Sequence, residues 1–259
     1  MDVHQSWPLV PEVPSVLNAD VHIWLAELEQ PTEIVQQLAD QLASDELFRA
    51  QRFHFEHDRR HFIVARGVLR TILSAHVHVT PDQLSFTYGP QGKPALAATY
   101  GDTRLRFNAS HSHKLALYAV TCDREVGIDI EWMRPLDDAE SIAAHFFSVS
   151  EQAALRSLPA HLKHQGFYNC WTRKEAYIKA IGKGLSQPLD EFDVSLIPGQ
   201  PAQLLAVLGK DGEVTRWSFQ ALQPPAEYAA ALAVEGTGWK VKCWKWEERL
   251  TPPERKASQ

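Results

Sequence analysis

Cysteine is scarce and unpatterned in this chain. Cys122, Cys170 and Cys243 are odd in number, widely spaced and form no C-x-x-C, which excludes a disulfide framework and a cysteine-built zinc site. No apolar run approaches the ~20 residues that span a bilayer. The opening Met1-Asp-Val-His-Gln-Ser-Trp-Pro8 lacks the basic and apolar regions of an export signal. Positive charge is not in excess either: 26 Lys and Arg face 32 Asp and Glu, a net charge of −6, which argues against a broad nucleic-acid surface. A Walker-type glycine loop for nucleotide phosphates is also missing. These absences predict a cytoplasmic protein that engages neither membrane nor nucleic acid.

What is present suits an ordinary globular chain. Its 259 residues are 44% hydrophobic and 22% charged, enough to bury a real core in one large or two modest domains. Prolines at 8, 11 and 14 mark residues 1–17 as an extended arm, and residues 247–259 read as a tail. Between them runs a faint internal repeat. The first half, 18–124, opens with a strand at Val21–Leu25. A helical region over Ser44–Val77 follows, then strands at Leu84–Tyr88 and Leu115–Val120. The second half, 125–246, opens with a strand at Val126–Ile130. Helices follow at Ser150–Leu158 and Gly166–Ile181, then strands at Phe192–Leu196, Glu213–Ala221 and Tyr228–Val234.

Superposing the halves sets Ile23 on Ile128 and Ala65–Arg70 on Lys174–Lys179. In that register Arg66 meets Glu175 and Arg70 meets Lys179, while Trp24 and Ala26 stand where the second half has Asp129 and Glu131. Only the second copy carries carboxylates, so one site is expected in the crevice between the halves.

The carboxylates themselves suggest the chemistry. On a strand Asp129 and Glu131 share a face, with Ile128 and Ile130 on the other. On a helix Glu175 and Lys179 are one turn apart. If strand and helix pack together, three carboxylates and an ammonium converge, an arrangement suited to holding Mg²⁺ against a phosphate ester. Each piece also has a plainer reading, as a solvated strand face or an exposed helix pair.

The neighbouring segments narrow the choice. Gly89-Pro-Gln-Gly-Lys-Pro94, Phe107-Asn-Ala-Ser-His-Ser112, Val126-Gly-Ile-Asp-Ile-Glu131, Phe146-Phe-Ser-Val-Ser-Glu151 and Trp171-Thr-Arg-Lys-Glu-Ala-Tyr-Ile-Lys179 occur in this order. They resemble the G-K-P, F-N-x-S-H-S, G-I-D-x-E, F-F-S-x-x-E and W-x-x-K-E-A-x-x-K motifs of the Sfp-type 4′-phosphopantetheinyl transferases. The likeness is strong from about 89 to 193 and weak before residue 80.

The resemblance implies an α+β fold of two similar subdomains related by a pseudo-twofold axis, with the active site at their interface. It implies an enzyme that transfers 4′-phosphopantetheine from coenzyme A to a serine of an apo acyl, peptidyl or aryl carrier protein, releasing 3′,5′-ADP; the internal repeat, which supplies both walls of the site, predicts a monomer. Asp129, Glu131 and Glu175 are the expected ligands of Mg²⁺, with Mn²⁺ as a substitute. Glu151, Glu175 and Lys179 are the expected catalytic residues, and the sequence leaves open which glutamate is the base. Glu151 also has a local alternative, a capping box with Ser148.

Coenzyme A is expected on Arg52, Gly92, Lys93, Pro94, Ser110, His111 and Lys179. Arg49, Arg59 and Arg60 are further candidates for its 3′-phosphate. The basic run Arg173, Lys174, Lys179 and Lys183 is expected to form a docking patch for acidic carriers. A non-catalytic carrier or coenzyme A binding module on the same fold is the alternative function. The physiological carrier and the tolerance for acyl-coenzyme A are not legible.

Overall fold

The computed structural model describes residues 6–10, 13–14, 20–100, 104–136 and 138–248. Most of the expected tail, and much of the expected arm, lie outside these residues. In the first half β1 (Asp20–Glu27) leads through α1 (Thr32–Ala39) and α2 (Ser44–Gln51) to the long α3 (Glu56–Val77). A short ribbon of β2 (Phe86–Tyr88) and β3 (Pro94–Leu96) precedes the hairpin β4 (Leu105–Ser112) and β5 (Leu115–Cys122). The second half begins with β6 (Val126–Trp132), α4 (Ala139–Phe146), α5 (Val149–Ser157) and the long α6 (Ala160–Ala180). It continues with β7 (Phe192–Val194), β8 (Leu204–Val207), α7 (Glu213–Arg216), β9 (Trp217–Leu222), β10 (Tyr228–Glu235) and β11 (Lys240–Lys245).

Two sheets carry the architecture, in strand orders β11-β1-β5-β4 and β6-β10-β9. The inner strands β1, β5 and β10 are buried on both faces, so they read largely as apolar runs rather than as alternating patterns. On β1, Val21, Ile23 and Leu25 face the other sheet, where Ile128, Ile130 and Leu232 meet them in one cluster. On the opposite face, Trp24 and Ala26 pack with α1 and α3 residues such as Leu38, Val68 and Ile72. In the second half Ala176, Tyr177 and Ile178 of α6 join Phe192, Trp217 and Ala231 in a third cluster. A fully buried isoleucine contributes about 1.5–3 kcal/mol, so the inter-sheet layer is a principal tie between the halves.

The structure departs from the sequence-based expectations in three places. The segment Glu213–Ala221 does not start as a strand, because Arg216 and the Trp217 indole both donate to Glu213, at 3.1 and 2.9 Å. Those local bonds hold one helical turn before the strand begins. β11 falls in the stretch expected to build the second half, yet it runs parallel to β1 with Ile23 opposite Cys243.

The third departure is the register of the repeat. Arg70 donates to Glu46 (2.7 Å), Pro81 O (2.6 Å) and Leu84 O (2.8 Å). Lys174 meets Glu151 (2.7 Å), Leu189 O (2.6 Å) and Phe192 O (2.6 Å) in the same way. Arg70 therefore answers Lys174, five residues before the expected Lys179.

Candidate active site

The site forms where β6 crosses α6. Gly127 makes the crossing possible: a Cβ there would stand 2.0 Å from Ala176 O and 2.4 Å from the Ala180 nitrogen. With β6 this close, the same face of the strand delivers Asp129 and Glu131 beside Glu175 and Lys179. The expected alternation holds, since Ile128 and Ile130 point into the inter-sheet core.

Asp129 is 2% exposed. Its Oδ1 accepts from Lys179 Nζ at 2.6 Å and from Ser110 Oγ at 2.8 Å, while its buried Oδ2 has no hydrogen-bond partner. Lys179 Nζ also donates to Ser110 Oγ at 2.9 Å. Glu131 accepts from Ser112 Oγ at 2.8 Å. Burial drives all three carboxyls upward from their ordinary range. For Asp129 the rise survives the opposing Lys179 and Ser110. Glu131 is raised by burial and then by Asp129. Glu175 reaches about 7 through burial, then Asp129 and Glu131, with Lys179 opposing.

β4 supplies the other wall. Asn108, Ser110 and Ser112 recur every second residue, so they share a face. Asn108 Oδ1 accepts from Ile128 N at 2.9 Å, and Ser112 Oγ accepts from Trp132 N at 3.0 Å. His111 lies between the two serines in sequence and is exposed. Its imidazole is nonetheless crowded, and that packing, then Lys179, His61 and Arg49, lowers its pKa. Neutral imidazole is therefore favoured at His111 in the absence of an anion.

The other residues expected to meet coenzyme A are held by contacts within the chain. Lys93 Nζ donates to Ala180 O (3.0 Å), Glu125 (3.1 Å) and Val126 O (3.3 Å), which ties the G-K-P turn to the end of α6. Gly92 takes a φ of +79° in that turn, and Pro94 opens β3 opposite Tyr88. A cavity of about 430 Å³ lies beside them, lined by Gly89, Lys93, Pro94, Arg106, Glu125 and Gly182 among others. Arg52 caps the end of α2 and is exposed. Arg60 donates to Gln30 O at 2.8 Å, Arg59 pairs with Glu56, and Arg49 lies over the Phe62 ring.

Glu151 requires a correction. It is 2% exposed, and both of its oxygens are occupied. Oε2 receives Ser148 N (2.9 Å) and Lys174 (2.7 Å), and Oε1 receives Val194 N (2.8 Å). A carboxylate buried and engaged in this way has the surroundings of a structural anchor, which favours the capping-box reading over the general-base one.

The docking patch is corrected too. Arg173 is 3% exposed and donates to Ser195 O at 2.6 Å, while Lys174 is fully buried. Both are interior anchors, not surface charges. The sequence hinted at this, because four consecutive charged or polar residues (Thr172 to Glu175) in a helix must present some of them to the core.

Among the described residues, no group of three or more His, Cys, Asp or Glu side chains is gathered closely enough to hold a metal as it stands. Nor is any helix among them long and apolar enough to cross a membrane.

Comparison with known proteins places this geometry in a family. Residues 125–233 match the model of the 4′-phosphopantetheinyl transferase superfamily, and residues 29–123 match that of the 4′-phosphopantetheinyl transferase N-terminal region. The chain is 42% identical to the 4′-phosphopantetheinyl transferase HetI of Nostoc sp. over 244 residues, covering 94% of this chain and 100% of HetI. It is 35% identical to psf-1 of Bacillus pumilus, across 62% of this chain and 67% of psf-1. With Sfp of Bacillus subtilis it shares 31% identity, across 57% of this chain and 63% of Sfp. The chain belongs to the 4′-phosphopantetheinyl transferase superfamily.

Proposed function

We propose that the chain transfers 4′-phosphopantetheine from coenzyme A to a serine of an apo acyl, peptidyl or aryl carrier protein, with a divalent cation held by Asp129, Glu131 and Glu175. The observation that carries this reading is the convergence of these carboxylates from β6 and α6 around Lys179. Their donor set is oxygen only, as Mg²⁺ prefers and Mn²⁺ accepts. Asp129 Oδ2 is buried without a partner, and burial, then repulsion from Asp129 and Glu131, raises Glu175, a strain that added positive charge relieves. The residues fit the ion. A bound cation would neutralise the diphosphate that is being cleaved.

The chain's own groups account for the rest. The serine oxygen forms a bond to the β-phosphorus of coenzyme A as the bond to 3′,5′-ADP breaks. Glu175, one turn from Lys179 on α6, is assigned the serine proton, as a carboxylate positioned beside the reacting groups can take it. Lys179 offers a compact charge to the departing phosphate. His111 and Arg52 are assigned to the 3′-phosphate, and Gly92, Lys93 and Pro94 to the cavity beside the adenosine end. Ser110 supports both Lys179 and Asp129. Since β4 and β6 wall the same cleft within one chain, the active form is a monomer.

The test is to incubate the protein with coenzyme A, Mg²⁺ and a panel of apo carrier proteins and to weigh the carriers. A phosphopantetheine mass increment on the carrier serine is expected. Binding of coenzyme A without any increment would instead identify a non-catalytic module.

A further inference from the structure

Lys179 stands against the carboxylate that a cation would need most. We infer that Lys179 is a built-in counter-cation of the free protein, which keeps the carboxylate cluster from taking a divalent ion until an anionic diphosphate draws the ammonium away. This rests on the metal reading given above.

Lys179 Nζ is 2.6 Å from Asp129 Oδ1, and Ser110 Oγ bonds to both partners. The ammonium is thus fixed by two neighbours on one side of the cluster. Asp129 cannot retreat, because it is 2% exposed and lies on a central stretch of β6. Lys179 can: its side chain is 27% exposed and extends from the last turn of α6. A divalent ion on Asp129 Oδ2 would share a single carboxylate with Lys179. Charges of +1 and +2 a few ångströms apart repel strongly even where the surroundings are polar.

Ser112 holds Glu131 as Lys179 and Ser110 hold Asp129. The free site is therefore balanced by lysine and hydroxyl partners. A diphosphate changes that balance, because it offers Lys179 an anionic partner and offers the cation additional oxygens. Metal and coenzyme A should then strengthen one another's binding, as linkage requires.

The experiment is a Mn²⁺ titration of the full chain without any carrier, read from the electron paramagnetic resonance signal of free Mn²⁺. Wild type, Lys179→Met, Lys179→Arg and Asp129→Asn are compared with and without coenzyme A, and Mn²⁺ held by coenzyme A alone is subtracted. Without coenzyme A, Lys179→Met should bind Mn²⁺ about tenfold or more tightly than wild type. Lys179→Arg keeps the charge and should stay near wild type. Adding coenzyme A should tighten wild type and shrink the gap. Equal or weaker Mn²⁺ binding by Lys179→Met, with Asp129→Asn still abolishing it, would overturn the counter-cation while leaving the metal site standing. If no variant binds Mn²⁺ under either condition, or Asp129→Asn binds as wild type does, the metal reading falls and the counter-cation with it.

Discussion

The two halves of the molecule hold their long helices with the same device and differ in what those helices face. In the first half Glu46 caps α2 through Ala43 N at 2.9 Å and receives Arg66 and Arg70. In the second Glu151 caps α5 through Ser148 N at 2.9 Å and receives Lys174. Burial raises the Glu46 carboxyl, but Arg70, Arg66 and the Ala43 N–H outweigh it and leave it below the usual range. One half turns Trp24 and Ala26 toward its helices, and the other turns Asp129 and Glu131. In the corrected register Thr71 answers Glu175 and Ala75 answers Lys179. The anchor is thus common scaffold, and the chemistry is an addition to one copy of it.

The largest expected effect comes from breaking the shared device. Glu46→Gln and Glu151→Gln should each strand a buried cation and cost about 3–5 kcal/mol, measured by denaturant unfolding. The double replacement Glu151→Gln with Lys174→Met should recover part of that stability, since no buried charge is stranded and the Gln carbonyl can still accept a backbone N–H, and transferase activity should follow it. A stable but inactive double variant would return Glu151 to the catalytic residues.

Next in size is the difference between the halves. Asp129→Asn should lower kcat/KM by at least about 10²-fold, the scale of losing a key transition-state electrostatic contact, with little change in melting temperature. Excess Mg²⁺ or Mn²⁺ should restore part of it. Glu175→Gln should behave alike, and the double variant should lose less than the sum. Activity curves against metal that superimpose for wild type and Asp129→Asn would remove Asp129 from the site.

A third contrast lies at the strand crossing. Where the second half has Gly127, one residue before Ile128, the first has His22, one residue before Ile23. Burial, then Lys242, lowers His22 to about 4, and burial, then His22, lowers His76 to about 4. Both imidazoles are depressed below the unfolded value of 6.5, so the unfolded chain binds more protons as pH falls. Their contribution is complete above pH 6.5 and is lost between 6.5 and about 4, at about 2 kcal/mol per imidazole by pH 5. Urea midpoints at pH 7.5 and 5 should show this, and His76→Ala should flatten the change. An unchanged slope would mean that the pair does not set the acid limit.

The smallest effect is expected at His111. Replacement by Ala should raise KM for coenzyme A by about tenfold and leave kcat nearly intact, because its proposed partner is a phosphate that does not react. A collapse of kcat at constant KM would contradict that assignment.

Much of the site was legible because its signals are local. Strand alternation set Asp129 beside Glu131, and one helical turn set Glu175 beside Lys179. The neighbours that decide roles lie far along the chain. Glu151 looks like an available carboxylate until Val194 and Lys174 claim its oxygens, and Lys174 looks like a surface charge until Leu189 and Phe192 enclose it. The repeat was visible, yet side-chain type misled its register: Arg70 resembles Lys179 in charge but matches Lys174 in contacts. β11 has no local signal of its own: Lys240, Lys242 and Lys245 suit a solvated segment as well as a strand, and nothing nearby announces a parallel partner more than 200 residues away.

The side-chain stitching between β4 and β6 has a consequence for solubility. Each is the last strand of its sheet, and an uncovered strand edge invites pairing with other chains. On β6 the N–H groups of Ile128 and Trp132 are taken by Asn108 and Ser112, so the polar residues that form the cleft also blunt an aggregation-prone border. Severed between Cys122 and Val126, each half would expose an unprotected border, and co-expressed halves should remain dispersed only when they find one another.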